Sequence, residues 1–251
     1  MTDSLFPDAH IPPPPSPPVD PDRLPHIHRL LLGYYGEPPV RERWDPLTQF
    51  IYSVLAARTR TEITYAALAR LRTRFGTWEN LREASVDTIQ ETIADVTYPE
   101  QKAPNLKLAL QQITTRTGEL SLDFLGKYRT EKIRSWIEQF PGAGPMVSAE
   151  VVNFSTLRRP ALVMNSHHLR IVHRLGLTPR ADAQRTEELL MRLVPETWTP
   201  EILQQDHALF KLHGQTLCTF TDPLCPKCPL LKLCRYGQRH VNGEPTQAPS
   251  R

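Results

Sequence analysis

Apolar residues recur along this chain at the spacing of a helix. Leu47, Phe50, Ile51, Val54 and Leu55 fall at i, i+3, i+4, i+7 and i+8, one helical face. Between Tyr65 and Phe75 the spacing returns in Leu68, Leu71 and Phe75. Ile89 and Ile93 mark the next face, with Asp87 placed to cap it. Leu106, Leu110 and Ile113 follow, then Ile133, Trp136 and Ile137, then Val147, Val151 and Phe154. Leu169, Val172 and Leu175 form another face, Leu189, Leu190 and Leu193 the next, and Leu209 with Leu212 the last. Alternating strand patterns are missing. Many short helices joined by brief polar links predict an all-α protein, without an internal repeat.

The ends break the pattern. Residues 1–25 are dense in proline, with Pro12 to Pro15 and Pro17-Pro18, and cannot bury much. They are expected to form a disordered leader, either inert or docking a protein partner. Residues 238–251 are polar and read as a second loose tail. The 251 residues suffice for one large core or two modest ones. No stretch is apolar for long enough to span a membrane, and the N-terminus lacks the basic start and apolar core of a signal peptide. A cytoplasmic monomer is expected. The net charge of +3 and pI near 8.7 permit nucleic-acid binding without arguing for it.

Two segments carry chemistry. The only cysteines, Cys218, Cys225, Cys228 and Cys234, are spaced C-x6-C-x2-C-x5-C. Four thiolates suit the corners of an iron–sulfur cube. Zinc is the alternative, although its four-cysteine sites usually come as two close pairs and only one is present. Disulfides are the third reading, disfavoured by a chain with no secretory leader. The second segment is Phe140-Pro-Gly-Ala-Gly-Pro-Met146. Pro141 stops one helix, Gly142 and Gly144 allow a tight turn, and Pro145 suits the first turn of the next helix. The free amides of such a hairpin, backed by a helix N-terminus, can hold a phosphate oxygen without reading a base. An ordinary αα-corner is the alternative.

Together these segments resemble the helix-hairpin-helix DNA glycosylases, most closely the endonuclease III branch, over roughly Asp45 to Tyr236. Phe140-Pro-Gly-Ala-Gly144 matches the hairpin, the cysteine spacing matches the cluster loop, and Leu212-His213-Gly214 matches the usual L-H-G. Lys102, Ala103 and Leu106 match a Y-x-x-K-A-x-x-[IL] stretch, with Tyr98 one position early. The resemblance implies two helical domains flanking a cleft for double-stranded DNA. The barrel would cover 47–159, and 26–46 with 160–237 would form the other domain, carrying a [4Fe–4S] cluster on the four cysteines. It implies extrusion of a nucleotide and cleavage of its glycosidic bond.

The departures fall on the catalytic positions. Met146 stands where bifunctional members carry the lysine that forms a Schiff base, so lyase activity is not expected. Asn165, in Val163-Met164-Asn165-Ser166-His167-His168, stands where the family has an aspartate. An amide can orient water but is no general base. A good leaving base such as uracil would suit it. His168 is an additional candidate acid or base, or else a surface histidine, and His167 matches a family histidine. Arg58 replaces the glutamine that fills the gap left by the extruded base, unless it is simply solvated. The expected DNA contacts are Gly142, Ala143, Gly144, Arg58, Ser148, Lys211, Lys227 and Lys232, with Arg170 and Arg235 as further cations.

Overall fold

Caps and prolines set where the helices begin. The computed structural model describes residues 20–246. Helix α1 spans Arg23–Tyr35 and α2 spans Pro46–Ala56, where the Asp45 carboxylate accepts from the Thr48 N–H. Next come α3 (Thr61–Phe75), α4 (Trp78–Glu83, capped by Thr77) and α5 (Val86–Thr92). Ser85 caps α5, not Asp87, which falls in the first turn and favours the positive helix end. Then follow α6 (Pro99–Thr117), α7 (Thr130–Ile137), α8 (Pro145–Phe154) and α9 (Ser166–Leu175). Helix α10 (Ala183–Met191) is capped by Asp182, α11 (Pro200–Thr216) by Thr199, and α12 covers Arg235–Val241. The fold is all-helical; no strand occurs among the described residues.

Two apolar cores result. One is built from α2 to α8 and includes Phe50, Ile51, Leu71, Leu110, Ile137 and Val151. The other joins Leu24, Ile27 and Leu31 of α1 to Ile171, Val172, Phe210 and Leu230. Helix α11 packs on α8 as well as on α1 and α9, so it spans the seam between the cores. Gly214 makes the α9–α11 approach possible. A Cβ there would stand 2.6 Å from the Cβ of His167.

The ends differ from expectation. Helix α1 begins inside the expected leader because Leu24 is buried and the Arg23 guanidinium donates to the Leu175 and Leu233 carbonyls, at 2.5 and 3.0 Å. Helix α12 extends past Gln238, anchored by the Gly237 N–H donating to Cys234 Sγ at 3.3 Å. Residues 1–19, expected as part of the leader with a partner-docking role, and 247–251, expected as part of the tail, lie outside the described residues. Leu209 and Phe210 carry the buried face of α11, while Leu212 faces solvent.

Candidate nucleic-acid interface and cysteine cavity

The hairpin closes as its residues dictate, with a difference between its glycines. Gly142 sits at φ +79, the left-handed region that favours glycine. Gly144 caps α8 in extended backbone at φ −100, which any residue adopts. A Cβ on Gly144 would meet nothing within 4 Å. Its glycine therefore leaves open space outside the hairpin instead of relieving the chain. Ala143 is buried beneath the turn, so only its backbone is available there.

Ser148 is corrected. It lies one turn into α8, fully buried, and its hydroxyl donates to Glu138 at 2.5 Å while accepting from Arg134 Nε at 3.1 Å. Arg134 also donates to Pro145 O and ion-pairs with Glu187, fastening the hairpin to α10. Ser148 braces the motif from inside and cannot meet a phosphate.

Beside the hairpin opens a cavity of about 610 Å³, lined by Ala57, Gly142, Gly144, Met146, Met164 and Glu187 among others. Met146 thus faces open volume. Asn165, next to Met164, caps α9: its Oδ1 accepts from the His168 N–H at 2.9 Å. The amide oxygen is committed to the helix. His168 is neither on the surface nor open to a substrate. Its ring is fully buried, stacked on Phe210 at 4.2 Å and 9°, with Nε2 3.6 Å from Asp206 Oδ2. Asp206 also holds His28 Nδ1 at 2.9 Å. Burial pushes the Asp206 carboxyl up, but His168 and His28 outweigh it and the net direction is down. The sequence held a signal for this: His168, Ile171, Val172 and Leu175 share one helical face, so the ring belongs to the core.

Arg58, which follows the cavity-lining Ala57, is exposed at φ +59, a left-handed conformation that costs a non-glycine residue energy. Lys102 sustains the turn. Its buried ammonium donates to Leu55 O and Ala57 O, both at 2.7 Å, and to Thr59 Oγ1 at 2.9 Å. It caps the C-terminus of α2, and burial pulls its pKa down to about 8. The sequence marked Lys102 only as a match; the structure shows what it does.

The cations divide. Lys227, Lys232 and Arg235 are exposed around the cysteines. Lys211 is half-buried in the seam, where it donates to Thr61 Oγ1 at 2.7 Å, and burial lowers its pKa. Arg170 is corrected, since it donates to Cys218 O and Gly214 O at 2.8 Å each and braces the cysteine segment.

All four cysteines line one cavity, walled by Ile171, Leu175 and Leu230. Backbone amides of Leu230 and Gly237 donate to Cys228 and Cys234 sulfurs at 3.4 and 3.3 Å, and Arg174 donates to Cys218 Sγ at 3.2 Å. Such donors suit thiolates. Burial pushes the Cys225, Cys228 and Cys234 thiols up, Cys228 to about 12, so thiolates here need a cation to hold their charge. The cysteines are all free thiols, which removes the disulfide alternative. Among the described residues, no group of three or more His, Cys, Asp or Glu is arranged to hold a single metal ion.

Residues 51–196 match the family model of the HhH-GPD superfamily base excision DNA repair proteins. The chain belongs to this superfamily, on its endonuclease III branch. Endonuclease III of Thermotoga maritima is 30% identical over 203 residues, covering 80% of this chain and 87% of that protein. Endonuclease III of Bacillus subtilis is 26% identical over 198 residues, covering 78% and 83%. The superfamily fold recurs in a solved non-covalent endonuclease III–DNA complex, with TM-score 0.72 and 20% identity over 90% of this chain and all of that one. A thermostable thymine-DNA glycosylase gives TM-score 0.67 and 19% identity over 87% and 98%. No helix among the described residues is long and apolar enough to cross a membrane.

Proposed function

We propose that this protein binds duplex DNA, extrudes a damaged or mismatched base, and hydrolyses its N-glycosidic bond without cleaving the strand. Met146 carries the reading. It faces the cavity beside the hairpin, where the family's bifunctional members carry lysine, and a thioether cannot form an imine. The hairpin offers backbone amides and Gly144 leaves open space beside them for a phosphate, and exposed Arg58, which follows the cavity-lining Ala57, is the residue to enter the duplex. Lys227 and Lys232 supply charge on the cysteine lobe. Asn165 has its oxygen engaged, so its amide N–H groups are left to orient a water. Positioning without a base suits a good leaving group, and uracil is favoured.

The four cysteines fit a [4Fe–4S] cluster: a shared cavity, amide donors to sulfur, and apolar walls. When bound, the cluster supplies four iron–thiolate bonds that fix the loop carrying Lys227 and Lys232. Purification without oxygen should give iron, sulfide and a broad visible absorption; a colourless or zinc-loaded protein would contradict this assignment. The protein is expected to act as a monomer on cellular DNA, in the cytoplasm or nucleoid.

A second reading is a silent binder of lesions or abasic sites. The commitment of the Asn165 oxygen to the α9 cap favours it. A panel of single-lesion duplexes, with and without hot alkali, separates the two. Breaks that need alkali support excision without lyase action. Intact duplexes across the panel, with binding retained, support the silent binder.

A further inference from the structure

A second cleft lies at the other end of α9. The helix runs 10 residues, about 15 Å, from the Asn165 cap, next to the cavity-lining Met164, to Gly176. There His173 and Arg174 meet Arg180 of the following loop and Arg235, Tyr236 and Arg239 of α12 around one depression. Arg180, Arg235 and Arg239 are exposed, while Arg174 is buried.

The charge of the cleft is of one sign. No acidic residue lines it among the described residues. Arg235 and Arg239 stand at i and i+4 on α12, a spacing at which like charges repel. Arg239 reaches Glu244 only at 4.0 Å, with both side chains more than half exposed, and such a pair contributes little. Elsewhere arginines have close carboxylates, as Arg70 has Asp95 and Arg185 has Glu188. The negative end of α9 does not offset the cleft, because Arg23 donates to the Leu175 and Gly176 carbonyls at 2.5 and 3.5 Å.

The wall behind these cations is rigid. Arg174 and Tyr236 stand between this cleft and the cysteine cavity and line both. The Arg174 guanidinium lies 4.4 Å from the Tyr236 ring centroid and donates to Cys218 Sγ, Thr219 O and Phe220 O. Burial, and then the Arg180 charge, lower the His173 pKa, so that ring serves as a neutral wall, with Nε2 3.1 Å from Thr186 Oγ1. Every cation left is an arginine, whose planar fork matches the oxygens of a phosphate two at a time.

We propose that this cleft is a phosphate-binding site separate from the hairpin. The inference does not depend on the excision reading. Its place, a helix length from the hairpin cavity, favours a free polyphosphate or nucleotide phosphate held outside the duplex contact. A flanking DNA strand offers the same chemistry, and the test separates the two sources.

The probes are inorganic tripolyphosphate, followed by calorimetry, and an undamaged duplex, followed by anisotropy, on the full chain purified without oxygen. Tripolyphosphate should bind saturably, and Arg180→Ala with Arg239→Ala should weaken it about tenfold or more by removing two charge-assisted contacts. If the ligand is a free phosphate compound, the double variant keeps duplex affinity within about twofold of wild type. If it is a flanking strand, duplex affinity falls and its salt slope flattens by about 2. Either pattern supports the site. A double variant that matches wild type within about twofold on both probes overturns it. Should the double variant melt early, Arg239→Glu decides the matter at one exposed position: a loss of tripolyphosphate affinity of about tenfold or more upholds the site, and an affinity within about twofold of wild type overturns it.

Discussion

Lys102→Met isolates the turn that presents Arg58. Methionine keeps most of the aliphatic stem and deletes the ammonium. Three hydrogen bonds go with it, to Leu55 O, Ala57 O and Thr59 Oγ1. Each is worth about 1 kcal/mol net, and leaving a buried carbonyl unmatched costs about as much again. Relief works in the other direction, because the buried ammonium is itself disfavoured, as its fall to about 8 records. The balance is a loss of about 2–3 kcal/mol, or about 5–10 °C in melting temperature for a chain of this size. The consequence is local as well. Arg58 at φ +59 is held by the C-terminal turn of α2 and by Thr97, whose hydroxyl donates to Arg58 O at 3.0 Å. Without the lysine cap the turn relaxes, and duplex affinity should fall about tenfold, a loss near 1.4 kcal/mol. Urea unfolding followed by circular dichroism gives the first quantity and fluorescence anisotropy the second. A variant within about 0.5 kcal/mol of wild type, binding DNA as tightly, would refute the assignment of Lys102 as the cap that holds the wedge.

Three other outcomes follow from the same geometry. Gly142→Ala forces a side chain at φ +79 against Asn105 Cβ and should cost about 1–2 kcal/mol of stability, whereas Gly144→Ala should fold normally and weaken duplex binding, read by melting and anisotropy. Asp206→Asn unpairs the buried His28 contact and should cost about 3 kcal/mol near pH 6 in denaturant unfolding. His28 is raised by Asp206, which outweighs burial, so its share is full below 6.5 and lost as pH rises through the folded value; the lowered Asp206 gives its share above 3.8 and loses it in acid. The gap between wild type and variant should therefore narrow on both sides of that window. Met146→Lys with Asn165→Asp should create borohydride-trappable adducts on an abasic duplex; a folded, DNA-binding double variant that traps nothing would show the catalytic positions to be misplaced.

Much of this was legible in the sequence because it depends on local rules. Apolar period, proline and glycine mark the hairpin, α2, α3 and α5 to α11, though not α1, α4 or α12, and four clustered cysteines mark their cavity. What escaped was the direction in which polar helical residues point. Ser148 lies on the inner face of α8 and His168 on the inner face of α9, so both serve the core although their types suggest chemistry. Lys211 reads as a surface cation until α11 is seen to cross the seam toward Thr61. The α5 cap was missed for a smaller reason: two acceptors, Ser85 and Asp87, lay close together, and the helix began at the first.

The most direct test is the salt dependence of binding to a duplex carrying an abasic analogue. A strand held at the hairpin amides, with Arg58 in the duplex and Lys227 and Lys232 on the phosphates, predicts an affinity that falls linearly on a log–log plot, with a slope of about −2 to −3 for three cations brought onto the DNA. Lys227→Ala with Lys232→Ala should flatten that slope by about 2. An affinity indifferent to salt, or no affinity for the duplex, would contradict the account.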